Sequence, residues 1–245
     1  MASAAFEGIT FPVRADLVEA QERAWAAIAR PGTWLSGLRR VAVAAEVRHA
    51  QDCPHCASIR AAVSPNGPKG MHTSLGVLGG AEIELIHRVV GDPGRLSERW
   101  AASVLERGLA EGEYVEIVGV IAMVMMMDAC SRGLGVALRD LPVPQEGEPT
   151  RHRPAGARKQ AAWLPLVEPE DATEADGPMY PNPKAGYIYR GLSLVPQSLR
   201  DYWALANCHY MPGQYVYQFD HSIRAISRPQ EILAARVSAM HQCVY

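Results

Sequence analysis

The chain carries no surplus of either charge. Its 24 Lys and Arg nearly balance 26 Asp and Glu, a net charge of −2, so neither nucleic acid nor an anionic membrane is indicated as a partner. Cysteine is scarce, with five in 245 residues. An odd number with one close pair excludes a disulfide scaffold, and in a chain expected to be cytoplasmic a CxxC points to redox or metal chemistry. Residues 1–7 lack the basic segment and apolar run of a secretory signal. The most apolar stretch, 115–130, has acids at both ends and is too short to cross a bilayer comfortably, so a buried helix is expected there. No convincing β alternation occurs anywhere. These absences together indicate a soluble, cytoplasmic, all-α protein.

What is present is helical periodicity, concentrated in residues 15–139. An amphipathic helix runs from Leu17 to the break at Pro31-Gly32, and Thr33 is placed to cap the next segment. Asp52-Cys53-Pro54 interrupts that segment; Asp52 as N-cap and Pro54 in the first turn predict a new helix to about Val63. Ser64-Pro65-Asn66-Gly67-Pro68 is a loop. Further helices are expected over 80–90, 95–109 and 113–134. Residues 140–186 hold half of the 18 prolines and an acidic run, which predicts an irregular connection. The basic group Arg151, Arg153, Arg158 and Lys159 reads as a solvated part of it. Trp163-Leu164-Pro165-Leu166-Val167 is apolar enough to pack on a domain. Helix returns near 198–205, and Ser227 with Gln230 forms a capping box for a helix from Glu231 to Met240. Three segments result: 15–139, 140–186 and 187–245.

The chemistry centres on Cys53-Pro54-His55-Cys56. A thiolate is the nucleophile, and a helix N-terminus with free N–H groups favours that form, while two intervening residues allow a disulfide. Redox chemistry, a structural metal site and an idle pair all fit this spacing. The metal reading needs two more ligands. His49, His55 and His72 are candidates, but no second CxxC or HxxxH accompanies them, so no metal is expected. Glu46 and His49 precede Cys53 by seven and four residues and share its face if the helix continues smoothly. His87 is either a relay or a packed core histidine. Cys130 and the Met123, Met125, Met126, Met127 group read as core.

A second, partial copy follows. Setting Cys53 on Cys243 aligns Ala44 and Ala45 with Ala234 and Ala235, and Val47 with Val237. Glu231 and Cys243 are separated by eleven residues, and Cys243-Val244-Tyr245 stops one position before a second chalcogen would complete the motif. Here the chain resembles the alkylhydroperoxidase D and carboxymuconolactone decarboxylase family, most nearly its two-unit members that include selenoproteins. The family signature is Glu, eleven residues, CxxC, three residues, His. The resemblance implies an all-α bundle that forms homo-oligomers, with a second, C-terminally truncated unit. It further implies that Cys56 attacks peroxide and Cys53 resolves. In the first copy Val41 and Arg60 stand where the family has Glu and His, so Glu46, His49 or Glu116 would have to substitute. In the second copy Glu231 and Cys243 are the matching residues. A selenocysteine just beyond Tyr245 is a hypothesis that the next codon tests: UAA or UAG excludes it.

The function expected is a thiol-dependent peroxidase with a peroxide substrate, no bound cofactor, and an external dithiol reductant or adaptor protein. The rivals are a helical oligomerisation or binding module with a lost active site, a general disulfide oxidoreductase, and a decarboxylase-like lyase.

Overall fold

In the computed structural model, residues 6, 8–10, 12–210 and 235–239 are described. The chain divides into two compact units, 1–205 and 206–245. The described α-helices include α1 (Ala15–Ala29), α2 (Gly37–Ala50), α3 (Pro54–Ala61), α4 (Gly80–Gly91), α5 (Glu98–Glu106), α6 (Glu111–Gly133), α7 (Tyr187–Arg190) and α8 (Pro196–His209). Among the described residues there is no strand, only an isolated antiparallel bridge between Arg158 and Leu166. The all-α expectation holds. In the second unit, residues 235–239 are helical, within the helix expected from Glu231. Glu231 and Cys243 themselves lie outside the described residues, as does the Ser227 capping box.

Helices α2, α4 and α6 pack on one another, with α1 against α2 and α6, and α3 and α5 against α4. The expected buried helix is α6: Tyr114, Val115, Ile117, Val120, Ile121, Met123, Val124 and Met127 are buried along it. By length and composition α6 could cross a bilayer, but 67 % of its apolar window is buried inside the protein. It packs against α2 and α4, on which Val43, Ala44, Val47, Leu85 and Ile86 are fully buried.

Charges fix the register of these helices. Arg39 on α2 forks between Glu82 on α4 at 2.7 Å and Glu113 on α6 at 2.6 Å. Arg48 grips Asp128 with two bonds of 2.9 Å. Arg40 and Glu116, 2 % and 0 % exposed, pair at 2.6 Å. A buried ion pair adds little net stability over an apolar pair but severely penalises any packing that separates its partners. Glu116, a candidate relay residue by sequence, is committed here: its other oxygen accepts the Trp34 N–H at 2.6 Å.

Two caps differ from expectation. Ser36, not Thr33, caps α2, accepting the Arg39 N–H at 3.3 Å. Thr33 is buried and its carbonyl accepts the Arg151 N–H at 2.8 Å, so it is held by the later chain. Cys53, not Asp52, is the N-cap of α3, with Pro54 in its first turn. Asp52 still closes α2, its N–H reaching the His49 carbonyl at 3.1 Å.

The irregular 140–186 connection straps the helices. The Gln145 N–H bonds the Ala29 carbonyl at 2.8 Å, and Trp25 Nε1 donates to the Asp140 carbonyl at 2.8 Å. Leu166 and Val167 are buried as expected, while Trp163 stays 41 % exposed. The basic group is paired singly: Arg153 with Glu111, Arg158 with Asp171, Lys159 with Glu98. The connection and residues 187–205 therefore fall in the first compact unit, where periodicity alone separates them from 15–139.

Candidate active site

The Cys53-Pro54 sequence starts a helix because proline presets the first-turn backbone and needs no N–H partner there. Cys53 thus sits at the N-cap and Cys56 in the first turn, both buried. The C-terminus of α3 is tied to the following structure by Arg95, which donates to the Ile59 and Ala62 carbonyls at 2.8 and 2.7 Å. That clamp holds the short α3 against α4.

Around the two sulfurs the fold gathers residues from three other places. Helix α4 supplies His87, and the 62–79 loop supplies His72. The sulfurs of Cys53 and Cys56 and one ring nitrogen of each histidine all lie within 4.8 Å of one another. Cys56 Sγ is 3.2 Å from His87 Nδ1 and 3.4 Å from His72 Nδ1; Cys53 Sγ is 3.7 Å from His72 Nδ1. The far side of each ring faces a carboxylate. His87 Nε2 is 2.9 Å from Glu46 Oε1 of α2, and His72 Nε2 is 3.5 Å from Glu84 Oε2 of α4. The two rings lie with centroids 4.5 Å apart.

Each carboxylate is itself held. Glu46 Oε2 accepts the Leu75 N–H at 3.2 Å and the Ser74 hydroxyl at 3.3 Å, anchoring the 62–79 loop over the site. Glu84 accepts Trp100 Nε1 at 2.8 Å. Gly70, at φ +147°, lets the loop pass close to the His55 ring, a backbone conformation that side-chained residues rarely adopt.

The electrostatics favour thiolate and imidazolium together. Burial pushes the Cys53 thiol up, but the Cys56 N–H, Thr73 and His72 outweigh it and bring it down to about 5. Burial likewise raises Cys56, yet His72 and His87 lower it below the usual thiol range. Burial lowers His72, but Cys56, Glu84 and Cys53 lift it to about 10. His87 is raised through Cys56 and Glu46 against the cost of burial. Glu84 is drawn down to about 2, first by His72.

Of the residues expected from sequence, Cys53, Cys56 and Glu46 meet in this site. His49 stands beside it: Nε2 is 3.0 Å from the Thr73 hydroxyl, and its ring centroid is 6.1 Å from that of His87. The break at Asp52-Pro54 turns α3 away from the line of α2, so the single stripe of Glu46, His49 and both cysteines does not form. Glu84 was not anticipated; its i,i+3 spacing to His87 on one helix was the available signal. His72 lies in a Gly- and Pro-bounded loop, where no periodicity indicates direction. A cavity of about 490 Å³ elsewhere in the first unit is lined by other residues, including Arg40, His152, Asp176 and Arg200. Within it, His152 is bonded to Asp176 at 2.8 Å.

Compared with models of known protein families, with curated proteins and with solved structures, the chain finds no match. What the site does is therefore read from its geometry.

Proposed function

We propose that the protein is a thiol-dependent peroxidase that reduces hydroperoxides through a Cys53–Cys56 dithiol–disulfide cycle. The observation that carries this reading is the buried chain Cys56 Sγ, His87, Glu46, with links of 3.2 and 2.9 Å. A nucleophile, a proton carrier and an orienting carboxylate in hydrogen-bond reach are what covalent catalysis requires.

The cycle balances on these residues alone. The Cys56 thiolate attacks the terminal peroxide oxygen; an S–O bond forms, the O–O bond breaks, and the departing alkoxide takes the His87 proton. The Cys53 thiolate then displaces hydroxide from the sulfenic acid, forming the disulfide, and His72 protonates the hydroxide to water. An external dithiol restores both thiols by exchange. Cys56 as the attacking residue agrees with the resemblance to alkylhydroperoxidase D and with its contacts to both imidazoles. Cys53 and Cys56 are 1 % and 2 % exposed, so peroxide reaches them when the loop bearing His72 and Thr73 lifts.

The test is peroxide consumption by reduced, chelator-treated protein with a dithiol. Cys56→Ser should abolish turnover, whereas Cys53→Ser should allow one equivalent and then stall as sulfenic acid. Equal steady-state rates for wild type and Cys56→Ser would overturn the reading.

A further inference from the structure

Two thiols and two imidazoles that converge from three separate elements have a second chemistry. We infer that in the reduced protein Cys53, Cys56, His72 and His87 bind one divalent cation of the zinc class, and that oxidation of the cysteine pair releases it. The binding half stands on geometry alone; the release half rests on the peroxidase reading.

The donor set is the first argument. Two sulfurs and two imidazole nitrogens suit zinc, a borderline-soft ion that takes four ligands in a tetrahedron. Magnesium and calcium, which require oxygen donors, are disfavoured. The dimensions are the second. Zinc–sulfur bonds of about 2.3 Å and zinc–nitrogen bonds of about 2.0 Å imply sulfur–nitrogen edges of roughly 3.5 Å in a tetrahedron. The sulfur–nitrogen separations here are 3.2, 3.4 and 3.7 Å, and no pair of the four donor atoms exceeds 4.8 Å.

The surroundings are the third and most specific. A metal-bound histidine commonly donates its remaining ring N–H to a carboxylate, which fixes the tautomer and strengthens the ligand. Both histidines are placed for this: each turns Nδ1 toward sulfur and Nε2 toward a glutamate, Glu46 at 2.9 Å for His87 and Glu84 at 3.5 Å for His72. The peroxidase cycle uses the two imidazoles in separate steps and does not require them to converge. Two, aimed at one point, describe a coordination sphere. Two thiolates also match the ion's charge, so the buried site becomes neutral at its centre.

The consequence is regulatory. His72 belongs to the 62–79 loop, so a bound ion ties that loop to α3 and α4 and occupies the lone pairs that attack peroxide. The metal-bound form is the closed, protected form of the same site. When it is oxidised, two zinc-bound thiolates and one hydroperoxide with two protons give a disulfide, an alcohol, water and the free ion; the sulfurs lose two electrons and the O–O bond gains them. A disulfide offers no thiolate ligands, so the ion departs.

The experiment uses the full chain, reduced and stripped by chelator, with zinc alone as the probe in competition with a chromophoric chelator. One ion per chain is expected. His72→Ala and His87→Ala should each weaken binding, and Glu46→Gln by about 10–100-fold. Cobalt in place of zinc should show the intense visible bands and thiolate charge-transfer absorption of a tetrahedral sulfur–nitrogen site. Peroxide added to the zinc form should release one ion for every two thiols lost. If stripped, folded protein consumes peroxide but binds no zinc, the inference fails and the peroxidase stands. If zinc binds but the stripped protein consumes no peroxide, the metal site stands and both the peroxidase reading and the release step fail. Undiminished binding by His72→Ala, a loop variant that leaves the helices intact, overturns the ligand assignment.

Discussion

His87 holds Glu46 with one face of its ring and Cys56 with the other, at 2.9 and 3.2 Å, and all three are buried. Forty-one residues separate Glu46 from His87, yet the α2–α4 contact makes them a single proton-handling unit. Because the carboxylate stabilises the imidazolium, His87 is raised from its ordinary value, with Cys56 contributing first. Glu46→Gln removes that charge while keeping the shape. The His87 proton should then be lost at lower pH, moving the alkaline limb of the peroxide rate profile downward. The rate at neutral pH should fall about tenfold or more, within the range that positioned acid–base groups contribute. An unmoved alkaline limb would show that Glu46 acts only as an anchor for Ser74 and Leu75.

Cys53 provides the clearest pH signature. Its thiol is brought from 9.0 to about 5, burial being outweighed by the Cys56 N–H, Thr73 and His72. A lowered value means that the thiolate persists above about pH 5 and is lost as pH falls through it. Site-resolved alkylation of the reduced, metal-free protein should therefore be nearly flat from pH 6 to 8 and fall about tenfold per unit below 5. A midpoint near the ordinary cysteine value of about 8.5 would contradict the electrostatic account.

Glu116 is expected to matter for stability. Glu116→Ala leaves the fully buried Arg40 guanidinium with Asp201, 4.0 Å away, as its remaining carboxylate and leaves the Trp34 N–H without its acceptor. Loss of one partner of a buried ion pair costs about 3–5 kcal/mol, to be measured by urea unfolding followed by circular dichroism. A loss under about 1 kcal/mol would mean that water enters beside Arg40 and solvates it.

Gly112 tests the packing of α6. An added methyl would stand 2.2 Å from the Trp34 indole, which must shift to admit it. In an unobstructed helix, Gly→Ala stabilises by about 1 kcal/mol. Here Gly112→Ala should instead destabilise by about 1–3 kcal/mol through overpacking. A rise in Tm would show that the Trp34 ring yields freely.

How much was legible beforehand can be traced residue by residue. The α6 core helix was evident because the run from Ile117 to Met127 has no polar side chain and so lacks the polar face that solvent demands. The CxxC helix start was evident because proline and cysteine announce it locally. Cys53, Cys56 and Glu46 were singled out on spacing, and Glu46 reached the site by a route the spacing did not describe. It meets Cys56 through His87 of α4 rather than along a shared stripe. Thr33 is diverted from capping by its bond to Arg151, and the strap of 140–186 rests on bonds to Ala29 and Trp25, so both depend on residues far along the chain.

Local sequence sets the helical class and the place of the cysteine pair at a helix N-terminus, both consequences of residues within one or two turns of each other. The tertiary structure alone decided what faces those sulfurs. His72 and His87, with Glu84 and Glu46 behind them, come from a loop and two helices whose meeting point is set by core packing and by the Arg39, Arg40 and Arg48 ion pairs. Local periodicity carries no information about that meeting point, because the free energy that places it comes from surfaces distant in the chain.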